Sequence, residues 1–189
     1  MTTKPYPGKI GVDSWNVVAG SDSKELVLLN KSRTIIRLSE RVDVDMGRFL
    51  STLEEAGVPI SFTDGLKEIY FTLLRGDEKY KQVYGDYKDG VVRLSVDIES
   101  REELIETFVH ELGHHMDERY EISVRKKIIE EKKKASRLMP DSYARKDVDE
   151  YVACGFEVYY FGSRRQRGDF RRNNPKLYNA IRYLERNHD

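Results

Sequence analysis

The sequence predicts an α+β fold, with a small mixed sheet in the first half and a mainly helical C-terminal half. Short stretches of alternating apolar and polar residues, typical of strands, lie before residue 97. After residue 100 the apolar residues recur at helical spacing instead. A length of 189 residues favours one domain, 1–189, in which 1–35 is a candidate N-terminal extension.

The composition favours a folded protein without a charge-driven partner. Lys plus Arg and Asp plus Glu both number 33, so we expect neither nucleic acid nor a membrane as a partner. The 12 tyrosines and 7 phenylalanines oppose disorder. Cys154 is the single cysteine, which excludes a disulfide within the chain. The N-terminus lacks an apolar signal segment, which predicts a cytoplasmic protein, with export by another route left open.

The sheet is predicted from the first half of the chain. The predicted strands cover 25–29, 33–38, 59–62, 67–74 and 91–96. A helix over 45–56 interrupts them, and residues 83–90 are rich in turn-forming types. The last strand has two interpretations. It is either an edge that holds an extended peptide by main-chain hydrogen bonds or an ordinary strand of the sheet.

Helices are predicted for most of the second half. Ser100 and Glu103 form a capping-box pattern ahead of the first one. The others are a charged surface helix over 121–138, a helix from 147 to 161, and a last helix that begins at Pro175 and reaches 187. The segment 163–172 contains five arginines. We interpret it as a solvated loop, with binding of acidic substrate residues as the alternative.

The central feature of the chain is the stretch His-Glu-Leu-Gly-His at 110–114. Residues i and i+4 lie one above the other on a helix, so His110 and His114 can direct imidazole nitrogens at one ion. Glu111 lies about 100° around the helix from His110, where it can act on a water bound to that ion. Three of the four histidines fall within 110–115, so the pattern predicts a metal site.

A catalytic zinc site usually has three protein ligands and one open position, so a third ligand is needed. Glu150, in the first turn of the helix that begins near Asp147, is favoured modestly. Asp147 and Glu150 also fit a capping box, in which the glutamate needs no metal. Glu157, further along the same helix, is the rival ligand.

Several segments of the chain resemble the anthrax lethal factor-like metallopeptidases, which include the Pro-Pro endopeptidases. The stretch Ser-Tyr-Ala-Arg at 142–145, followed by Glu-Tyr-Val-Ala at 150–153, is similar to the region after the H-E-x-G-H motif of that family. Residues 174–178 resemble the segment that opens its last helix, and 87–92 resemble the strand before its active-site helix. The likeness covers roughly 80–187 and does not extend into residues 1–60. One departure is Cys154, which stands where the family often has an acidic residue.

This resemblance implies a zincin-like metallopeptidase fold, in which the mixed sheet packs on the H-E-x-x-H helix. It implies one Zn²⁺ per chain bound by His110, His114 and Glu150, with a water in the fourth position. Glu111 would take a proton from that water and pass it to the leaving amine. Tyr143 would donate a hydrogen bond to the oxyanion. The implied activity is that of a zinc endopeptidase acting on a specific protein or peptide in extended form. A preference for proline is not implied.

Two other functions stay open. One is an ImmA-like intracellular peptidase that cuts a repressor, for which zinc loss in Glu157→Ala rather than in Glu150→Ala would argue. The other is a non-catalytic, zinc-stabilised binding module, although a structural site has no need of Glu111. Two further residues have paired interpretations. Cys154 is a small buried hydrophobe or a residue near the metal, and Asp117 orients a ligand histidine or is an exposed helix carboxylate.

Overall fold

The computed structural model describes residues 10–11, 15–20, 24–39, 42–73, 84–97 and 100–187. The chain forms two compact units, Met1–Phe108 and Val109–Asp189. The described strands all belong to the first unit, and the second is helical, which confirms the predicted α+β class. The domain boundary 1–189 stays a prediction.

The first unit contains a seven-stranded mixed sheet in the order β1-β2-β3-β4-β5-β7-β6. The strands are β1 (Ile10–Gly11), β2 (Asn16–Ala19), β3 (Glu25–Leu28), β4 (Ile35–Leu38), β5 (Glu68–Thr72), β6 (Gly85–Lys88) and β7 (Val91–Ser95). Strands β1 to β4 pair antiparallel in chain order. Strand β4 pairs parallel with β5, and a parallel pair needs a crossover connection, which contains helix α1 (Met46–Glu55).

One face of the sheet is buried because its apolar residues are in register across the parallel strands. Ile36 of β4 lies beside Ile69 of β5, which in turn lies beside Val92 of β7, and none of the three is more than 1% exposed. Phe49 of α1 packs on this layer, with its ring centroid 5.3 Å from that of Phe71. Its ring centroid also lies 5.4 Å from that of Phe108, in the first half of helix α2 (Arg101–Tyr120).

Residues inside the predicted N-terminal extension contribute to this core. The side chains of Trp15, Val17, Leu26 and Leu28 are at most 1% exposed. The indole nitrogen of Trp15 donates a hydrogen bond to the carbonyl of Val58 at 2.8 Å. The described part of this segment is therefore integral to the first unit.

Three expectations for the first unit are corrected. The segment predicted as a strand over 59–62 is a 3₁₀ helix, Ile60–Thr63. Residues 85–88 form a strand, because Asp89 and Gly90 adopt φ values of 52° and 82°, as in a tight hairpin turn. This hairpin gives β7 a partner on each side, so the last strand is not an edge and cannot hold an added peptide.

The second unit is built around a buried helix. After the rest of α2 come α3 (Lys126–Ala135), α4 (Val148–Phe161), α5 (Arg164–Asn173) and α6 (Pro175–Asn187). Short 3₁₀ helices at Ser136–Leu138 and Ser142–Arg145 connect α3 to α4. Residues 151–156 of α4 are all buried.

The basic segment 163–172 is helical, so its assignment as a loop was wrong. Ser163 and Gln166 form a reciprocal capping box that starts α5. Phe170 is 2% exposed and faces the core, while the arginines are on the solvent side. Because Phe170 is one buried apolar residue among many arginines, the hydropathy of the segment does not indicate a helix packed on the core.

Glu131 of the charged helix α3 has an unexpected structural role. Its carboxylate accepts hydrogen bonds from the backbone amides of Lys176 and Leu177 at 2.7 and 2.9 Å, and from the Tyr151 hydroxyl at 3.1 Å. The two amides are in the first turn of α6, where helix N–H groups lack intrahelical partners and a negative charge is favourable.

We expect Glu131→Gln to lower the free energy of unfolding by about 1.5–3 kcal/mol, because it weakens charge-assisted hydrogen bonds. Urea denaturation of the purified protein measures this loss. Glu130→Gln is the control, since Glu130 is exposed and its ion pair with Lys126 is long, at 4.0 Å. We expect the control to change stability by less than about 0.5 kcal/mol, and equal losses in the two variants would contradict the role of Glu131.

Candidate metal site

Two helices of the second unit bring the predicted ligands together. His110 and His114 lie one turn apart on α2, with ring centroids separated by 5.1 Å. Glu150 is in the first turn of α4. One nitrogen from each ring and one oxygen of Glu150 all lie within 4.8 Å of one another, so the three side chains form a group that could hold a metal ion.

The two oxygens of Glu150 have different partners. Oε2 lies 3.2 Å from Nε2 of His110 and 3.5 Å from Nε2 of His114. Oε1 accepts a hydrogen bond from Nζ of Lys146 at 2.9 Å. Two imidazole nitrogens and one carboxylate oxygen are a donor set that suits zinc. Lys146 was not predicted as part of this group, because it lies just before the N-cap of α4, in a segment expected to be a loop.

The cap of α4 directs Glu150 toward the histidines. Asp147 accepts a hydrogen bond from the backbone amide of Glu150 at 2.8 Å and so starts the helix. The carboxylate of Glu150 does not return this bond to Asp147, and points to His110 and His114 instead. The Asp147 half of the capping box is therefore present, while the carboxylate of Glu150 contacts the two histidines instead of completing the box.

Gly113 allows α2 and α4 to approach closely beside the predicted ligands. A Cβ atom at this position would lie 2.8 Å from Cα of Ala153 and 3.3 Å from Cβ of Phe156. Ala153 is one turn after Glu150 on the inner side of α4. The absent side chain at 113 therefore sets how near the histidine pair comes to Glu150.

The site combines a histidine whose pKa is raised, His110, with a carboxylate whose pKa is lowered, Glu150. Burial raises the pKa of Glu150, but hydrogen bonds from His110, His114 and Lys146 outweigh burial and keep its pKa well below the usual range. Burial also acts to lower the pKa of His110. Hydrogen bonds to Cys154, Glu150 and Glu157 outweigh it, so the pKa of His110 is raised.

We expect zinc to displace about one proton per chain at pH 7, because a metal ligand must be a neutral imidazole and the raised pKa of His110 keeps it protonated in the zinc-free protein. Calorimetric titration in two buffers with different ionisation enthalpies counts the released protons. Because each zinc ion must displace this proton, the apparent zinc affinity should fall about tenfold for each unit by which the pH drops below 7. An affinity that does not change between pH 6 and 7 would contradict this expectation.

The two predicted catalytic residues occupy different environments. Glu111 is only 5% exposed, and its charge helps to raise the pKa of the neighbouring His110. Tyr143 is 55% exposed in the 3₁₀ helix Ser142–Arg145. The ammonium of Lys146 lies 5.2 Å from the centroid of the Tyr143 ring, so one lysine contacts both Tyr143 and Glu150. The catalytic roles of Glu111 and Tyr143 stay predictions.

The structure gives the surroundings of the side chains that had two interpretations. Cys154 is fully buried, and this burial raises the pKa of its thiol. Its sulfur contacts His110 and lies 4.0 Å from Oδ2 of Asp141. Asp117 is 6% exposed, so it is not a surface carboxylate. Its Oδ1 accepts a hydrogen bond from the Ser123 amide at 2.7 Å and closes the turn after α2. Glu157 lies outside the group of three side chains that could hold a metal, but its Oε2 is 3.5 Å from Nδ1 of His110.

At the level of class, these features define an α+β protein with a His-His-Glu group that could bind a metal. The chain matches the family model described as anthrax toxin lethal factor, N- and C-terminal domain, over residues 27–184. It therefore belongs to this family, as its resemblance predicted. The match begins within β3, so the likeness extends further toward the N-terminus than the expected range of 80–187. No curated protein matches the chain.

None of the described helices is both long and apolar enough to cross a membrane.

Proposed function

We propose that the chain is a zinc-dependent endopeptidase with a zincin-like catalytic fold and one Zn²⁺ bound by His110, His114 and Glu150. The observation that carries this proposal is the convergence of two Nε2 atoms on one carboxylate oxygen. Three protein ligands leave a fourth position open, as is usual in catalytic zinc sites. Membership of the lethal factor family supports a hydrolytic use of such a site.

A bound zinc ion would supply a water of lowered pKa and would polarise the carbonyl of the scissile bond. Glu111 is the proposed general base and acid. It neighbours His110 in the chain and is not one of the three grouped side chains, and we expect its carboxylate to take a proton from the attacking water. It then passes this proton to the leaving amine. Because Glu111 is buried, bulk water has little access to its carboxylate and competes less for its hydrogen bonds.

Tyr143 is the proposed donor to the oxyanion that develops on the carbonyl. Its hydroxyl is on an exposed side chain, so a substrate can reach it. The contact of its ring with Lys146, which is bonded to Glu150, ties Tyr143 to the ligand group. A donor that meets its acceptor mainly in the transition state lowers the barrier without tightening substrate binding.

The proposed substrate is a protein or peptide bound in extended form, because an endopeptidase must expose the scissile main chain to its site. Strand β7 offers no support for this binding, since it has partners on both sides. The ImmA-like alternative is weakened by the position of Glu157 outside the group of three ligands. We therefore retain the lethal factor-type assignment.

Cleavage-site profiling on a broad peptide library tests the proposal. The zinc-loaded protein is expected to cut a limited set of internal bonds, to lose this activity with a chelator, and to regain it when one equivalent of zinc is returned. Mass spectrometry of the products gives the bonds, and elemental analysis gives about one zinc per chain. If the zinc-loaded protein leaves the library uncut, a non-catalytic binding module becomes the better assignment.

A further inference from the structure

Both ring nitrogens of His110 face a carboxylate of helix α4. Nε2 lies 3.2 Å from Oε2 of Glu150, and Nδ1 lies 3.5 Å from Oε2 of Glu157. The two glutamates are seven residues apart, which is close to two helical turns, so one face of α4 presents both of them to the same ring.

A histidine that binds a metal through one nitrogen usually donates the N–H of the other to a fixed acceptor. This second bond selects the tautomer and the ring orientation. For His110 the nitrogen that faces the ligand group is Nε2, because it lies against Glu150 and the corresponding atom of His114 also points there. The nitrogen left to donate is therefore Nδ1.

Two side chains compete to accept this N–H. The thiol of Cys154 forms a hydrogen bond with His110, but a neutral sulfur is a weak acceptor. Glu157 offers a carboxylate oxygen, which accepts more strongly than a thiol sulfur. Its side chain is 28% exposed, so its charge is partly desolvated and acts on the ring with limited screening. The 3.5 Å separation is longer than an ideal hydrogen bond, and the attraction is largely that of charge.

We propose that Glu157 is a positioning residue of the zinc site, which accepts Nδ1–H of His110 and so keeps Nε2 free for the metal. This inference rests on the proposed function. It makes Glu157 neither a ligand nor a group that touches the substrate. It also distinguishes Glu157 from Glu150, although both lie on α4 and both contact His110.

The test measures zinc affinity by competition with a chromophoric chelator at constant pH for wild type, Glu157→Gln, Glu150→Gln and Cys154→Ala. We expect Glu157→Gln to keep one zinc per chain and to bind it about 10- to 100-fold more weakly. Cys154→Ala should stay within about threefold of wild type, and Glu157→Asp, which keeps the charge, should recover part of the loss. In the zinc-loaded protein, the Nδ1–H proton of His110 should move upfield in the NMR spectrum of Glu157→Gln.

Three results would overturn the inference while wild type still binds zinc. These are wild-type affinity in Glu157→Gln, a loss in Glu157→Gln as complete as that in Glu150→Gln, and a larger loss in Cys154→Ala than in Glu157→Gln. The second of these would make Glu157 a ligand, and the third would make the thiol the partner of His110. A wild-type protein that binds no zinc would overturn the proposed function together with this inference. Thermal unfolding of the zinc-free variants verifies that each one is folded.

Discussion

Glu111→Gln is expected to lower kcat for peptide cleavage by about 10²- to 10⁴-fold while one zinc per chain stays bound. Glutamine has the shape of glutamate and fits the same buried position, but it cannot take a proton from water. The variant should keep its zinc because Glu111 is not one of the three grouped side chains. Steady-state kinetics on a peptide from the library measures the activity, and elemental analysis measures the zinc.

The matched control for this substitution is on the same helix. Glu102 of α2 is exposed, and Glu102→Gln makes the same chemical change about two turns before His110. We expect its kcat to remain within about twofold of wild type, as is usual for surface substitutions. A Glu111→Gln protein with wild-type kcat would remove Glu111 from the mechanism. Loss of zinc along with activity would instead mean that Glu111 supports the site structurally.

The grouping of His110, His114 and Glu150 was predictable in part from local signals. The spacing of the two histidines follows from the helical repeat. The position of Glu150 in the first turn of a capped helix favoured it only modestly, and the family resemblance implied it as the third ligand. The main strands and α1 were predictable from local signals as well, since alternation and helical periodicity are properties of short windows. The Asp-Gly pair at 89–90 is also a local signal, typical of a hairpin turn. Residues 83–90 were nevertheless predicted only to be rich in turns, and the strand at 85–88 was not predicted.

The features that escaped prediction depend on residues far apart in the sequence. Glu131 caps α6 across 45 residues, and no window around it indicates that partner. The pairing of His110 with Glu157 needs α2 and α4 to be placed first. Lys146 is the exception, because it lies close to Glu150 in sequence and was overlooked among many exposed lysines. Helix α5 is also an exception, because its capping box of Ser163 and Gln166 is a local signal, but the segment is strongly polar and Phe170 is its one buried residue.

Gly113→Ala is expected to disturb the site without altering any ligand. The added Cβ would be placed 2.8 Å from a backbone atom of Ala153, against an ordinary contact of about 3.5–4.0 Å between carbon atoms. A backbone cannot swing aside as a long side chain can, so α2 and α4 must separate. Overpacking of this kind typically lowers the free energy of unfolding by about 1–3 kcal/mol.

The same separation should weaken zinc binding, because the histidines are on α2 and Glu150 is on α4. Metal–ligand distances tolerate deviations of only about 0.2 Å. We therefore expect Gly113→Ala to bind zinc at least about tenfold more weakly than wild type, even where the protein remains folded. Chelator competition measures the affinity, and urea denaturation of the zinc-free protein measures the stability separately.

Gly168→Ala is the matched control, since Gly168 is also a helical glycine but a Cβ there would meet no atom within 4 Å. The same substitution should raise the stability by about 0.5–1 kcal/mol, because alanine favours the helix more than glycine does. Zinc affinity should not change. Opposite signs for the two glycines would show that the close approach at 113, and not the loss of glycine as such, keeps the ligands in place. Equal zinc affinity in the two variants would contradict it.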